Sequence, residues 1–382
     1  MTPRILLVSV VGSNPPAIRA LSLECERVAA SFQGVTRTDL GDRRFPRWRQ
    51  RIDRAAPALS SATLANPIGE KEPFDLVVVH CLLASDLGHC LPLVPILDRA
   101  KQSALWVHEL WAKNVHGQHR GELEWFKRFD RMYVGLDGTV DTLADAIDRP
   151  VRGLLHGVDA LRWQPPDPEP TRKIDLNWFG ARVESTHNAL VDLAGKRDLV
   201  YLYDTVKRHQ PHDVDKHREA FFDLAHRTKL CLVNPAKAAV PEHRGDQLGE
   251  IGYRYVEIAA AGGVMVGGEP SSPTWNRLFN WPDACTHIPV GSTDVEEPVM
   301  SLLEDPDRLH RISRRNRAEA LRAMDIAYRW REILDDFGFD HPPELNTRIE
   351  KMHALADRLA PPLERDETPT HEPASAGVET GP

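Results

Sequence analysis

Short, unbroken apolar runs recur along the chain with helix-length polar segments between them, and this alternation restricts the fold more than any other feature. Residues 5–11, 76–79, 104–107, 132–134 and 153–155 form one set, and 174–179, 200–203, 230–233 and 264–266 form another. Continuous Val/Leu/Ile runs of this kind are strands buried on both faces, which requires a parallel sheet covered by helices on each side. Between the sets stands QPPDPEPT (164–171), whose four prolines can continue neither a helix nor a central strand. The expected fold is α/β: two Rossmann-like, doubly wound parallel-sheet domains, 1–163 and 173–325, joined by a linker over 164–172 and facing a central cleft. A helix over 216–227 is expected between two strands of the second sheet.

From Asp305 to Asp336 the sequence reads as one long charged helical stretch. Near its end Ala327, Trp330, Ile333 and Leu334 fall at helical spacing. That predicts helices over 326–360, the first lying against the first domain. ERDETPTHEPASAGVETGP (364–382) is polar, Pro-rich and free of large apolar side chains, and a disordered tail is expected over 361–382.

A length of 382 residues fits two domains. Forty-eight basic against 56 acidic residues give a net charge of -8, which argues against nucleic acid as the main partner. One local exception is the run Arg43, Arg44, Arg47, Arg49, Arg51 and Arg54, interleaved with Phe45, Pro46 and Trp48. It suits weak contact with an acidic membrane surface or a phosphate-bearing substrate, or else an ordinary solvated face. The five cysteines (Cys25, Cys81, Cys90, Cys231, Cys285) are scattered and set in apolar sequence, as expected of free buried thiols in a reducing compartment. With no stretch long enough to span a membrane, the expected location is cytoplasmic, peripheral at the inner membrane face if the arginine run binds there.

Ligands of open α/β sheets sit at the carboxyl ends of strands, so those loops carry the functional candidates. After the first strand, Gly12, Ser13 and Asn14 make a tight turn and Pro15 and Pro16 set up a helix start. The turn suits a phosphate or sugar hydroxyls, and equally a plain strand-to-helix connection. ALWVHELWAKN brings His108 and Glu109 to a strand tip, placed for proton transfer or sugar orientation; a half-buried histidine bonded to backbone is the alternative. Gly157 and Asp159 of LLHGVDALRWQP need no ligand to explain their turn. Gly180 and Arg182 of FGARVES end the first strand of the second domain, where an arginine fork suits a diphosphate and a surface position is the plain reading. The histidine pairs His116/His119 and His209/His212 lack companions at metal-site spacing, so no metal is expected.

VHELWAKN, LLHGVDALRWQP, FGARVES and RYVEIAAAGGVMV, in this order, resemble segments of the GT-B glycosyltransferases of the large retaining group called group 1. The resemblance covers about residues 1–340 and is strongest in the second half. It implies a sugar transferred from a nucleoside-diphosphate donor, UDP- or GDP-linked, to a small-molecule, lipid-linked or glycan acceptor, with retention and no metal or other cofactor. By position it implies that His108 contacts the transferred sugar, Arg182 the donor diphosphate and Glu257 the ribose hydroxyls. Gly12, Gly180 and Gly262 would line the donor. The sequence departs from the group in two places. Glu250 is one residue out of register for the family's first glutamate, and His187 replaces its lysine. Arg254, three residues before Glu257, resembles the arginine of a variant branch and is expected on the diphosphate. Arg182 and Arg254 would then stabilise the leaving group, with His108 or Glu109 as base if the enzyme inverts. A nucleotide-sugar epimerase or hydrolase of the same shape, or a non-catalytic binding protein, are the competing expectations.

Overall fold

The computed structural model describes residues 2–10, 19–39, 72–89, 93–119, 122–203, 214–240 and 249–363. Gly12, Cys90, the run Arg43 to Arg54 and the tail from residue 364 lie outside these residues. In the first domain β1 (Ile5–Ser9), β2 (Val35–Asp39), β3 (Leu76–Leu83), β4 (Gln102–Glu109), β5 (Arg131–Val134) and β6 (Val151–Gly153) make a parallel sheet in the order β2-β1-β3-β4-β5-β6. In the second, β7 (Ile174–Trp178), β8 (Tyr201–Tyr203), β9 (Thr228–Val233), β10 (Val264–Gly267) and β11 (Thr286–His287) are parallel in the order β11-β10-β9-β7-β8. The edge strands β2 and β11 escape a reading based on apolar runs: VTRTD is mostly polar, and Thr286–His287 is two residues long. Each sheet reverses its strand order once, between β1 and β3 and between β7 and β9. Those reversals open crevices at the carboxyl ends of the strands.

Across the first sheet the register aligns Ser9, His80, Trp106, Tyr133 and Arg152 in one row. This row meets the helix Ile326–Asp336 from the far end of the chain. The Tyr133 hydroxyl donates to Asp336 (2.9 Å), and Arg152 pairs with Asp336 (2.9 Å) and Glu332 (2.7 Å). The expected single helix from 305 to 336 is therefore two, Pro306–Ala323 and Ile326–Asp336. Asp325 breaks it: its backbone is extended, and its carboxylate caps the second helix by accepting from the Ala327 N–H (2.8 Å). A continuous helix would carry the second segment past the first domain instead of onto it.

The chain crosses between domains near residue 157 and again near residue 325, and the two passages are tied together. Val158 N–H donates to Met324 O (3.0 Å) and Ile326 N–H to Val158 O (3.1 Å). Asp325 also accepts from Ala160 N–H (2.8 Å) and from Arg348. Gly157 permits this approach, since a Cβ there would stand 2.7 Å from both the N and the Cα of Ile326. One hydrophobic core runs through the junction, from Trp106 and Tyr133 through Trp163 and Trp330 to Phe221 and Tyr255. The free cysteines Cys25, Cys81, Cys231 and Cys285 are buried. No described helix is long and apolar enough to cross a membrane. Gly157→Val should lower unfolding stability by about 1–3 kcal/mol, the range for forced overpacking, as read by denaturant midpoint; an unchanged midpoint would contradict the tight crossing.

Candidate active site in the interdomain crevice

The helix Tyr253–Ala261 forms the second domain's wall of the crevice. Gly252 caps it in an extended conformation, and Gly262 ends it in the left-handed region (φ 71°), with Gly263 N–H returning to Ile258 O. A Cβ on Gly262 would meet the Arg317 side chain at 2.6 Å. Close packing against helix Pro306–Ala323, at the opposite end from Gly252, thus accounts for this glycine. Ala259, Ala260 and Ala261 are fully buried and bring the helix close to its neighbours.

Glu257 is buried on this helix at 1% exposure. One carboxylate oxygen accepts from Arg218 Nη1 and the other from Arg254 Nη1. Burial alone would raise its pKa; the two guanidinium groups outweigh that and hold the carboxyl below its ordinary range. Arg218, on helix Val214–Arg227, turns its Nε to Glu24 Oε2 (2.9 Å) on helix Ala20–Ala29 of the first domain, and lies over the Trp163 ring (4.7 Å). Glu24 Oε1 in turn accepts from Asp159 N–H (2.8 Å) and Trp163 Nε1–H (3.0 Å). A buried chain of alternating charge, Glu24, Arg218, Glu257, Arg254, therefore spans both domains. Arg254 is its outer member, with 37% of its side chain exposed, lying over Phe221 (4.4 Å).

On the opposite wall stands a second polar chain. Glu26 Oε2 is held by Arg37 (2.8 and 3.0 Å), and Glu26 Oε1 accepts from His80 Nδ1 (2.8 Å). His80 Nε2 meets His108 Nε2 directly. Burial, then the close pairing with His80, drives the His108 pKa well below its usual value, so its ring is neutral at pH 7. The tautomers that satisfy the chain have His80 donating to Glu26 and His108 donating through Nε2, which leaves His108 Nδ1 as an acceptor. His108 stacks on Trp106 (5.0 Å) and approaches His156 (5.8 Å), whose ring meets Tyr253 edge-on (4.2 Å). Burial also pushes His156 down to about 3.

The remaining sequence candidates have definite partners. Glu109 pairs with Lys237 of the second domain (2.5 Å) and accepts from Trp111 Nε1 (3.0 Å). Glu250, the carboxylate out of register, accepts from the backbone N–H groups of Asp137 (3.0 Å) and Gly138 (2.7 Å) in the first domain. It serves as a latch between domains. Arg182 lies over Tyr203 (5.2 Å), beside His187, which bonds the Tyr201 hydroxyl (2.9 Å). Gly180 has positive φ (93°), and among the described residues a Cβ there would meet nothing within 4 Å. Phe179, next to it, contacts Phe221 (4.4 Å), so the Arg182 end of β7 and the Arg254 side chain share one aromatic wall. Glu24, Glu26, His80, His156 and Arg218 did not emerge from the sequence reading. The available signal was two carboxylates inside the apolar helix ALSLECERVA, both buried.

Residues 177–335 match the family model for glycosyl transferase-like proteins. Anabaena Alr3699/HepE, solved in complex with UDP, superposes with a TM-score of 0.52 at 12% identity, over 88% of this chain and 99% of that one. The architecture is GT-B. The same protein with UDP and glucose superposes equally well (TM-score 0.52, 11% identity, 88% and 99% covered). A Listeria monocytogenes protein named as a UDP-N-acetylglucosamine 2-epimerase follows at 0.50 and 12% identity, over 89% of this chain and 98% of that one. No curated protein matches by sequence. In the GT-B frame, the chain from Glu24 to Arg254 bridges the two domains, and the chain from Glu26 to His108 lies within the first.

Two predictions follow from these chains. Arg218→Met strands two buried carboxylates and should cost about 3–5 kcal/mol in unfolding free energy; Glu24→Gln in the same protein should recover part of it, and strict additivity would contradict the coupling. Because the unfolded chain protonates His156 near pH 6.5 and the folded chain holds it neutral down to about 3, folding stability is lost as pH falls below about 6.5. His156→Gln should flatten the stability curve between pH 6.5 and 4.5 by about 1.4 kcal/mol per pH unit, measured by denaturant unfolding; an identical slope would contradict the buried neutral imidazole.

Proposed function

We propose that the chain is a glycosyltransferase that moves a sugar from a nucleoside-diphosphate donor, UDP- or GDP-linked, to an acceptor hydroxyl, with retention and without a metal. The observation that carries this reading is the meeting of Glu257 and Arg254 on one helix at the crevice of a GT-B fold. An ionised carboxylate offers about four acceptor positions, and the two arginines take two. The ribose hydroxyls take the others once the partly exposed Arg254 swings out, and its fork then meets the diphosphate, with Arg182 reaching the same group from the end of β7. As the glycosidic bond breaks, charge builds on the departing phosphate, and these guanidinium groups stabilise it. Gly180 leaves backbone space for the donor, and His108 orients the sugar.

The Glu26–His80–His108 chain favours a second stereochemical reading. A carboxylate-backed histidine whose Nδ1 is an acceptor can take the acceptor proton in an inverting transfer. Glu109 is the weaker base candidate because Lys237 holds it. The likeness to the Listeria protein supports a competing activity, epimerisation of a nucleotide sugar, which needs no acceptor.

Calorimetric titration should show UDP or GDP binding to the wild type, weakened at least tenfold in Glu257→Ala. Absence of nucleotide binding by the wild type would overturn the donor reading, and donor consumed without any acceptor would select epimerase or hydrolase chemistry.

A further inference from the structure

The chain that leaves helix Pro343–Leu359 is held against helix Pro306–Ala323 by arginines. Arg314 donates to Leu359 O (2.8 Å) and Arg358 O (2.9 Å), Arg322 to Ala360 O (2.5 Å) and Arg315 to Pro361 O (2.5 Å). A helix end leaves its last carbonyls without intrahelical partners, and here the guanidinium groups satisfy them. Leu359, Ala360 and Leu363 pack on the edge of the hydrophobic core beside them.

An open groove of about 510 Å³ lies at this place, and none of its lining residues belongs to the interdomain crevice. Leu363 lines it together with His310, Arg311, Arg314, Arg315 and Asp283. The charges in it do not balance. Asp283 is paired with Arg308 (2.8 Å), and Arg315 with Glu319 (3.1 Å). Among the described residues Arg314 holds only carbonyl oxygens, and the exposed Arg311 makes neither a hydrogen bond nor an ion pair. Two guanidinium charges are thus left without a counter-ion in a groove that has an apolar edge.

The described residues end at Leu363, within this groove, and the sequence continues with an acidic segment. Glu364, Asp366 and Glu367 follow at once, Glu372 and Glu379 lie further on, and Arg365 is the only arginine or lysine beyond Leu363. An extended residue spans at most about 3.6 Å, so Glu367 reaches about 14 Å from Leu363. Exposed ion pairs are individually weak and screened by salt, but a segment tethered at the groove meets it at high effective concentration.

We propose that residues 364–367 dock in this groove against Arg311 and Arg314, so that the chain's own acidic segment occupies a surface fitted to acidic peptides. The proposal is independent of the sugar-transfer reading.

Zero-length carbodiimide coupling of the full chain carrying Arg311→Lys tests it, because the substitution keeps the charge and supplies an amine at an exposed position. A carboxylate at 364, 366 or 367 should form an amide with the amine at position 311, with loss of water, and peptide mass spectrometry locates the bond. Coupling conditions are set by the appearance of the Lys196–Glu296 link, a pair already 2.7 Å apart. Lys351, exposed on helix Pro343–Leu359, reports unguided collision. Coupling of these carboxylates to position 311 should exceed coupling to Lys351 at least tenfold at low salt and lose that preference in about 1 M salt. A mixture of isotope-labelled and unlabelled chains shows whether the bond lies within one chain. Equal coupling at position 311 and Lys351, a preference unaffected by salt, or bonds found only between chains would each overturn the proposal. As a second arm, the full chain with Glu364→Gln, Asp366→Asn and Glu367→Gln should bind a synthetic peptide of residues 364–382 at least tenfold more tightly than the wild type does; equal binding would also overturn it.

Discussion

The buried pairing of Arg218 with Glu24 and Glu257 is the interaction on which the arrangement of the crevice depends. Two carboxylates from different domains could not be brought together out of water without a cation between them, and one guanidinium serves both. Trp163 stacks on that guanidinium and donates to Glu24, so the chain just after the first crossing is fixed by the same group. The position of Glu257 is thereby set by the first domain as much as by its own helix. Any ligand that draws on Glu257 acts on the contact between domains as well.

Around this centre the crossings act as a frame. Gly157 and Asp325 bring the two interdomain passages into backbone contact, and Arg348 pairs with both Asp325 and Asp159. Glu250 and Lys237 add contacts nearer the mouth of the crevice. The contacts named at the mouth are polar, whereas at the crossing the ion pairs of Asp325 and Arg348 are set in the continuous hydrophobic core.

How far the sequence disclosed this varies with the range of the interaction involved. Continuous apolar runs at 76–79, 104–107 and 264–266 announce buried parallel strands, because burial on both faces is a local property of composition. The break at Asp325 is not, since Asp, Met and Ala are all tolerated in a helix and the cause is a contact with Val158 far back in the chain. For the site, RYVEIAAAGG pointed to Glu257 and Arg254, which share a helix face three residues apart. Arg218 and Glu24 are 39 and 233 residues from Glu257 in the sequence, and no spacing rule connects them. His108 stands out in the sequence by its strand-tip position, but its partners His80 and Glu26 come from a neighbouring strand and a distant helix.

The central claim is that Glu257 is a ligand group held ready by two arginines, and a crystal structure with UDP soaked into the protein tests it most directly. The account predicts ribose hydroxyls within hydrogen-bonding distance of the Glu257 carboxylate, with Arg254 turned from Phe221 toward the diphosphate. Nucleotide density elsewhere, with Glu257 still closed by both Arg218 and Arg254, would contradict it.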